Sequence, residues 1–269
     1  MTTIKEVFAD LKAKGEAALI GYVTAGDPNP ELTPQIADAL IKGGVDILEL
    51  GLPFSDPIAD GPTIQAASVR ALNAGTTPKT VLGIAKTIKQ KHSLPVVTMT
   101  YYNPVYKMGL EAFFSLAKTC GVDGVIIPDL PVEEAADYCK AANAQAIDTI
   151  FLAAPSTSEE RLRRIVACSS GFLYLVSHFG VTGEKTTLQD STLQLVKRIG
   201  QFTAGKVPLA VGFGISTPEH VKSIVSAGAD GVIVGSAFVN IVNRNQKNHS
   251  RMLQELEETA QGLKKATRK

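Results

Sequence analysis

Three carboxylates lie close together in the segment ELGLPFSDPIADGP, positions 49–62: Glu49, Asp56 and Asp60. The same segment contains three prolines and two glycines, so its backbone is stiff at some points and free to turn at others. The apolar run VDILEL at its upstream end predicts a buried strand that carries an acid near its end. Carboxyl groups held in unlike surroundings can divide the roles of acid and base between them. The segment therefore indicates acid–base chemistry.

Glu49 is flanked by Leu48 and Leu50, which point to the opposite face of the predicted strand. Burial disfavours the charged form of a carboxyl group and raises its pKa, which suits a group that gives and takes a proton. The alternative is a structural ion pair. However, the predicted strands contain no Lys or Arg that could pair with Glu49. We therefore expect a functional role for it.

The other two carboxylates lie in the loop that follows the strand. Asp60 precedes Gly61 and Pro62, which predicts polar surroundings and an ionised side chain. Asp56 lies between Ser55 and Pro57 and has two open interpretations, a functional contact or a local cap of its own loop.

Glycine-rich segments follow the last three predicted strands. These are GVTG at 180–183, VGFGIS at 211–216 and VGSAF at 234–238. Loops after the last two strands of an eight-stranded α/β barrel, together with a helix N-terminus, often bind phosphate. Ser236 adds a hydroxyl group to the last segment. The alternative is that these glycines serve the turns alone.

Other chemistries find little support in the sequence. No predicted strand carries a lysine for a Schiff base, the four histidines are dispersed, and the three cysteines lack metal-ligand spacing. The net charge of +1 does not favour a nucleic-acid partner. No signal peptide or membrane-spanning run is recognisable, and the unpaired cysteines favour a reducing compartment, so we expect a cytoplasmic protein without membrane contact. Metal-free acid–base chemistry on a phosphorylated substrate remains.

The elements that position these residues repeat along the chain. GGVDILELG, CGVDGVIIPD and AGADGVIVGS each combine glycine, aspartate and a short apolar strand, and each follows an amphipathic helical pattern. We predict eight strands at 17–23, 46–50, 95–101, 124–128, 148–153, 172–177, 208–213 and 231–235. Eight alternating units without a linker predict a single (β/α)₈ barrel domain over residues 1–269. An extra N-terminal helix, Ile4 to Lys14, is expected to cover the barrel's N-terminal end.

The segment ELGLPFSDPIADGPTIQ (49–65) closely resembles the signature of the tryptophan synthase alpha subunit family. The resemblance extends in order to GYVTAGDP (21–28), MTYYNPV (99–105), GVDGVIIPDLP (121–131), SHFGVTG (177–183) and VGFGISTPEHV (211–221). It implies a (β/α)₈ barrel that cleaves indole-3-glycerol phosphate to indole and glyceraldehyde 3-phosphate. It also implies an α2β2 complex with a beta subunit that carries pyridoxal phosphate, whereas this chain would need no cofactor or metal of its own.

The resemblance also implies roles for particular residues. The catalytic pair would be Glu49 and Asp60, with Glu49 as the acid–base group and Asp60 as the acceptor of the indole N–H. The substrate would contact Tyr174, Tyr101, Phe213, Thr182 and Gly183. The phosphate group would bind at Gly183, Gly212, Gly214, Gly235 and Ser236. The beta subunit would contact Pro53, Asp56, Asn103 and Pro104.

Two short segments depart from the family pattern. His178 and Phe179 precede GVTG, and APST at 154–157 differs slightly from the usual pattern, so the kinetics of loop closure are open.

Two other functions are alternatives. An isomerase or synthase acting on a neighbouring intermediate of the same pathway is one of them, although such enzymes typically need a lysine or cysteine at a strand end. The other is a barrel that only activates a beta subunit, against which the presence of both Glu49 and Asp60 argues.

Overall fold

The structure, a computed structural model, describes residues 2–176, 190–212 and 214–268. Within these ranges the strands are β1 (Ala18–Thr24), β2 (Ile47–Gly51), β3 (Val96–Met99), β4 (Gly124–Ile126), β5 (Asp148–Ile150), β6 (Leu152–Ala153), β7 (Leu173–Val176), β8 (Leu209–Gly212) and β9 (Gly231–Val234). The α-helices are α1 (Ile4–Ala13), α2 (Thr33–Lys42), α3 (Pro62–Asn73), α4 (Pro78–Lys91), α5 (Tyr102–Met108), α6 (Leu110–Thr119), α7 (Ala136–Ala144), α8 (Glu159–Cys168), α9 (Asp190–Thr203), α10 (Pro218–Ser226), α11 (Ser236–Arg244) and α12 (His249–Lys265).

All the strands pair in parallel in one sheet, in the order β5-β4-β3-β2-β1-β9-β8-β7-β6. The first and last strands of that order are separated in the chain by Phe151 alone, which brings the two ends of the sheet together. The predicted barrel is therefore confirmed. The predicted fifth strand, 148–153, is divided in two because its first half pairs with β4 and its second half with β7.

Side chains alternate between the inside and the outside of this barrel, as the pleat of a strand requires. Leu48 and Leu50 pack outward against the surrounding helices, in the large core between the sheet and its helical layer. Ile47 belongs to a second core inside the barrel. Glu49 has the same parity as Ile47, so it points into the barrel, on the face opposite Leu48 and Leu50 as the sequence pattern predicted.

Helix α1 closes the N-terminal end of the barrel. Thr3 and Glu6 form a reciprocal capping box that fixes the start of the helix. Ile4, Phe8 and Leu11 of the helix are buried together with inward residues of the strands, and the Phe8 ring lies 6.0 Å from that of Phe172. The predicted covering role of the N-terminal helix is confirmed.

The aspartates of the three sequence repeats bind the main chain of a neighbouring strand. Asp46 accepts a hydrogen bond from the N–H of Leu19 (2.7 Å), and Asp123 and Asp230 accept from Val96 and Leu209 in the same way (2.8 and 2.9 Å). Lys264 of α12 and Lys89 of α4 pair with Asp46 and Asp123. The repeated aspartate therefore links adjacent strands by a hydrogen bond at the N-terminal face of the barrel, opposite the carboxyl ends of the strands.

Candidate active site

A cavity of about 200 Å³ opens among the carboxyl ends of the strands and the loops that follow them. Among the described residues, its lining comes from strands and loops all around the barrel. It consists of Tyr22, Glu49, Ala59, Asp60, Ile64, Met99, Pro128, Leu152, Tyr174, Val176, Gly212, Gly214, Ile215, Ile233, Gly235 and Ser236. A mostly apolar wall with a few converging polar groups is typical of a small-molecule site.

Glu49 is the most deeply placed polar group of this cavity. It is 0% exposed, and neither carboxyl oxygen has a hydrogen-bond partner among the described residues. Burial, followed by the negative charge of Asp60, raises the pKa of Glu49 to about 8. A carboxyl group left unpaired in a buried site is costly to the fold, which is a feature of groups kept for function rather than for stability.

Asp60 lies on the loop between β2 and α3. Its main-chain N–H donates to the carbonyl of Pro57 (3.0 Å), and its own carbonyl accepts from Nε2 of Gln65 (2.8 Å). One carboxylate oxygen accepts a hydrogen bond from the hydroxyl of Tyr101 at 3.1 Å. The position of the carboxylate is thus fixed by its own loop and by the segment after β3.

The environment of Asp60 differs in part from the polar loop that the sequence predicted. Burial raises the pKa of Asp60 to about 6, although the hydrogen bond from Tyr101 acts in the opposite direction. Asp60 is thus more buried than its loop alone suggests, but its surroundings are still more polar than those of Glu49, as predicted: it is half-buried and accepts a hydrogen bond, whereas Glu49 is fully buried and has no partner among the described residues. The expectation of an ionised side chain still holds at neutral pH, because a group with a pKa near 6 is mostly deprotonated at pH 7. Near pH 7 the cavity presents a protonated Glu49 beside an ionised Asp60, which are the states required of an acid and an anion.

Two tyrosines flank Glu49 inside the barrel. Tyr22 of β1 is its direct neighbour across the β1–β2 pair, and Tyr174 lies on β7. A side chain at Gly212 would come within 2.6 Å of the Tyr174 hydroxyl, and one at Gly51 would collide with that of Tyr22. The absence of a Cβ at these two glycines leaves room for the tyrosine rings. Burial raises the pKa of both tyrosines well above the ordinary value, so both hydroxyls remain protonated.

The far side of the cavity consists of backbone and small residues. Four of the residues predicted for phosphate binding line it together: Gly212, Gly214, Gly235 and Ser236. Gly214 has a φ of +44°, a conformation that residues with a Cβ rarely adopt. Helix α11 begins at Ser236 without a side-chain cap, so its first-turn N–H groups are not satisfied by a capping side chain. Free N–H groups at a helix N-terminus attract anions.

The remaining predicted site residues lie elsewhere. Tyr101 is buried but is not one of the residues that line the cavity, and it contacts the Asp60 loop instead. Two of the residues predicted to meet a partner lie in that loop, where Asp56 is exposed and Pro53 is buried. The other two lie on α5, where Asn103 is exposed and Pro104 is half-buried. Three predicted residues, Phe213, Thr182 and Gly183, lie outside the described residues, as do His178 and Phe179.

Sequence reasoning missed the apolar wall and one polar group. Tyr22, Ile64, Met99, Leu152 and Ile233 line the cavity but were not singled out. Tyr22 offered a signal, since it is a hydroxyl-bearing residue in an otherwise apolar strand. The other four are ordinary apolar residues. The register between strands places Met99, Leu152 and Ile233 at the cavity, and the packing of α3 places Ile64 there.

Comparisons with known proteins agree with this geometry. The model of the family described as "Tryptophan synthase alpha chain" matches residues 8–268. The chain belongs to the tryptophan synthase alpha chain family. It is similar to the alpha chain of Methanoregula boonei, with 48% identity over 266 residues that cover 99% of this chain and 98% of the relative. Membership makes it a tryptophan synthase alpha subunit, a lyase-type enzyme of tryptophan biosynthesis.

Solved structures of the family have the same fold. Tryptophan synthase subunit alpha from Legionella pneumophila superposes with a TM-score of 0.89 at 36% identity, covering 99% of this chain and 98% of that one. A chain from the tryptophan synthase α2β2 complex of Pyrococcus furiosus superposes with a TM-score of 0.86 at 41% identity, covering 93% and 98%. The alpha-subunit barrel is therefore shared over nearly the whole length.

The described residues contain neither a membrane-spanning helix nor a cluster of side chains suited to a metal ion. Among the helices within these ranges, none combines the length and apolar character needed to cross a bilayer. Within the described ranges, no group of three or more His, Cys, Asp or Glu side chains is arranged to hold a metal ion. Among the described residues that line the cavity, the carboxyl groups belong to Glu49 and Asp60 and the phenol groups to Tyr22 and Tyr174.

Proposed function

We propose that this alpha subunit cleaves indole-3-glycerol phosphate to indole and glyceraldehyde 3-phosphate by a retro-aldol reaction. One observation carries the proposal. Glu49 and Asp60 line the same cavity, with pKa values raised to about 8 and about 6, so one is protonated and the other ionised at neutral pH. The reaction needs a proton donor at a ring carbon and an anion near the ring nitrogen, which are the states these two groups hold.

Glu49 acts first as the acid in this scheme. Its carboxyl proton goes to the indole carbon that bears the glycerol chain, which leaves the ring positively charged at nitrogen. Asp60 accepts the hydrogen bond of the ring N–H and stabilises that charge in a site shielded from water. The Glu49 carboxylate then takes the proton of the adjacent chain hydroxyl. The electrons of that O–H bond form the aldehyde, and those of the broken carbon–carbon bond restore the aromatic ring.

The remaining cavity residues hold the two ends of the substrate. The phosphate binds at Gly212, Gly214, Gly235 and Ser236, where the uncapped start of α11 supplies N–H groups. The indole ring binds against the apolar part of the wall. Tyr174 extends from β7 toward the same space with a protonated hydroxyl, which suits contact with the glycerol chain.

We also propose that the chain works in an α2β2 complex with a beta subunit. The Pyrococcus furiosus relative belongs to such a complex, and the loop that carries Asp60 also carries the exposed Asp56. Asn103 is exposed on α5, and Pro104 follows it, next to the same loop. Ile58 in the loop and Tyr106 on α5 are 83% and 69% exposed, which favours a protein partner on this face. The scheme assigns no cofactor to this chain and leaves pyridoxal phosphate to the beta subunit.

Indole release from indole-3-glycerol phosphate tests the proposal. The purified chain is assayed alone and with a beta subunit, next to Glu49→Gln and next to Glu134→Gln, which removes an exposed carboxylate. Because the chain contains no tryptophan, its own fluorescence does not mask indole. We expect Glu49→Gln to lower the rate by roughly 10² to 10⁴-fold, while Glu134→Gln leaves it unchanged.

The pH profile gives a second readout. The rate should fall above about pH 8 as Glu49 loses its proton, and below about pH 6 as Asp60 gains one. A folded wild-type chain that releases no indole with or without a beta subunit would refute the proposal. Undiminished release by Glu49→Gln would refute the role of Glu49.

A further inference from the structure

Tyr101 makes an unusual set of contacts with the loop that carries Asp60. Its hydroxyl donates to the Asp60 carboxylate at 3.1 Å and accepts the main-chain N–H of Ala59 at 3.0 Å. Its ring stacks on Phe54 with a centroid distance of 5.2 Å and an interplanar angle of 26°. One side chain thus contacts both ends of the same loop and the carboxylate itself.

The segment that carries Tyr101 is itself well anchored. Tyr101 is 3% exposed and immediately precedes helix α5. The next residue, Tyr102, donates its main-chain N–H to Asp129 (2.9 Å) in the loop after β4. A hydroxyl on a buried ring in a fixed segment has little freedom to move, so its hydrogen bonds can hold a neighbouring loop in one position.

We propose that Tyr101 is a positioning residue for Asp60: its hydroxyl bridges Ala59 and the Asp60 carboxylate and holds that carboxylate toward the cavity shared with Glu49. The inference deepens the proposed function, on which it rests for its catalytic readout. It replaces the expected contact between Tyr101 and the substrate, since Tyr101 lies behind Asp60 rather than on the cavity wall. The bond leaves the other oxygen of Asp60 available for an N–H donor.

The charged and titratable groups around Asp60 make this hydrogen bond important. Glu49 faces it from β2, Tyr22 from β1, Tyr174 from β7 and Tyr101 from the segment after β3. These groups are neutral acids near pH 7, and none supplies a positive charge. Burial raises the pKa of Tyr101 further above the ordinary value, so its hydroxyl stays a donor. Among the described residues, Tyr101 is therefore the group that favours the ionised form of Asp60.

Tyr101→Phe tests the inference because it keeps the ring and its stacking on Phe54 but removes the hydroxyl. Tyr102→Phe is the matched control, as the Tyr102 hydroxyl makes no hydrogen bond within the described residues. With indole release as the assay, we expect the acidic limb of the kcat/KM profile to move from about pH 6 upward by roughly one pH unit in Tyr101→Phe. The rate at pH 6 should fall several-fold, and Tyr102→Phe should keep the wild-type profile.

A measurement without substrate separates the two proposals. The carboxyl carbon of Asp60 is followed by NMR in protein labelled with ¹³C at its aspartate carboxyls, and its signal is assigned by its loss in Asp60→Asn. We expect its titration midpoint to rise in Tyr101→Phe and to stay in place in Tyr102→Phe. An unchanged midpoint in folded Tyr101→Phe overturns the positioning role, whether or not the chain releases indole. If the wild-type chain releases no indole but the Asp60 midpoint still rises in Tyr101→Phe, the proposed function is refuted and the positioning role stands.

Discussion

Replacement of Glu49 by glutamine should make the folded protein more stable, and increasingly so as the pH rises. Glu49 is completely buried, and its two oxygens have no partner among the described residues. In the unfolded chain the carboxyl group ionises near its ordinary pKa of 4.5, whereas in the folded chain burial keeps it neutral up to about pH 8. Glutamine has a similar shape but no charge to bury.

The magnitude follows from the two pKa values of Glu49. Below pH 4.5 the group is protonated in both states, and its ionisation costs the fold nothing. Between pH 4.5 and 8 the unfolded chain releases a proton that the folded chain retains, so the free energy of unfolding falls by about 1.4 kcal/mol per pH unit. From pH 5 to pH 8 the loss amounts to about 3–4 kcal/mol. This is a large fraction of the 5–15 kcal/mol that stabilises a typical protein.

Urea unfolding followed by far-UV circular dichroism at pH 5, 6, 7 and 8 measures this loss. The unfolding free energy of Glu49→Gln minus that of the wild type should rise by about 3–4 kcal/mol across this range. Glu134→Gln, which alters an exposed carboxylate, should give a difference that stays nearly constant. A constant difference for Glu49→Gln as well would mean that Glu49 is already ionised in the folded protein. It could not then be the acid of the proposed reaction.

Two further substitutions test how the barrel supports its site. Phe8→Ala removes a buried ring that packs near Phe172 at the N-terminal end and should lower the free energy of unfolding by about 3–5 kcal/mol. A cost below 1 kcal/mol in urea unfolding would show that α1 is peripheral to the core. Gly212→Ala places a Cβ 2.6 Å from the Tyr174 hydroxyl and should lower indole release by roughly tenfold or more, while Gly200→Ala, which meets no neighbouring atom, should not. Equal rates for the two variants would show that the position of Tyr174 is unimportant.

The placing of Glu49 on the strand face opposite its two leucine neighbours could be predicted because it depends on local geometry, whereas the structure shows that this face is the inner one. In a strand, parity alone assigns Leu48 and Leu50 to one face and Glu49 to the other, whichever strands lie beside it. The positions of the glycines and of Ser236 were likewise predictable, because they follow predicted strands, and strand ends in this fold converge at one face. Four of these residues do line the cavity together.

The environment of Asp60 could not be predicted in the same way. Its neighbours in sequence, Gly61 and Pro62, suggested a polar loop, but Tyr101, forty-one residues away, approaches its carboxylate and helps to bury it. The contact between Tyr22 and Glu49 depends equally on the register between β1 and β2. Such registers follow from packing of the whole barrel, which no local pattern specifies.

The sequence by itself determined the alternating barrel, the N-terminal helix, the acid on the strand face opposite Leu48 and Leu50, and the family to which the chain belongs. These features depend on periodicity and on motifs that are short in sequence. The tertiary structure decided how far the pKa values of Glu49 and Asp60 are raised and where Tyr101 lies. The physical reason is that a pKa depends on desolvation and on nearby charges, and both are set by side chains brought together from distant strands.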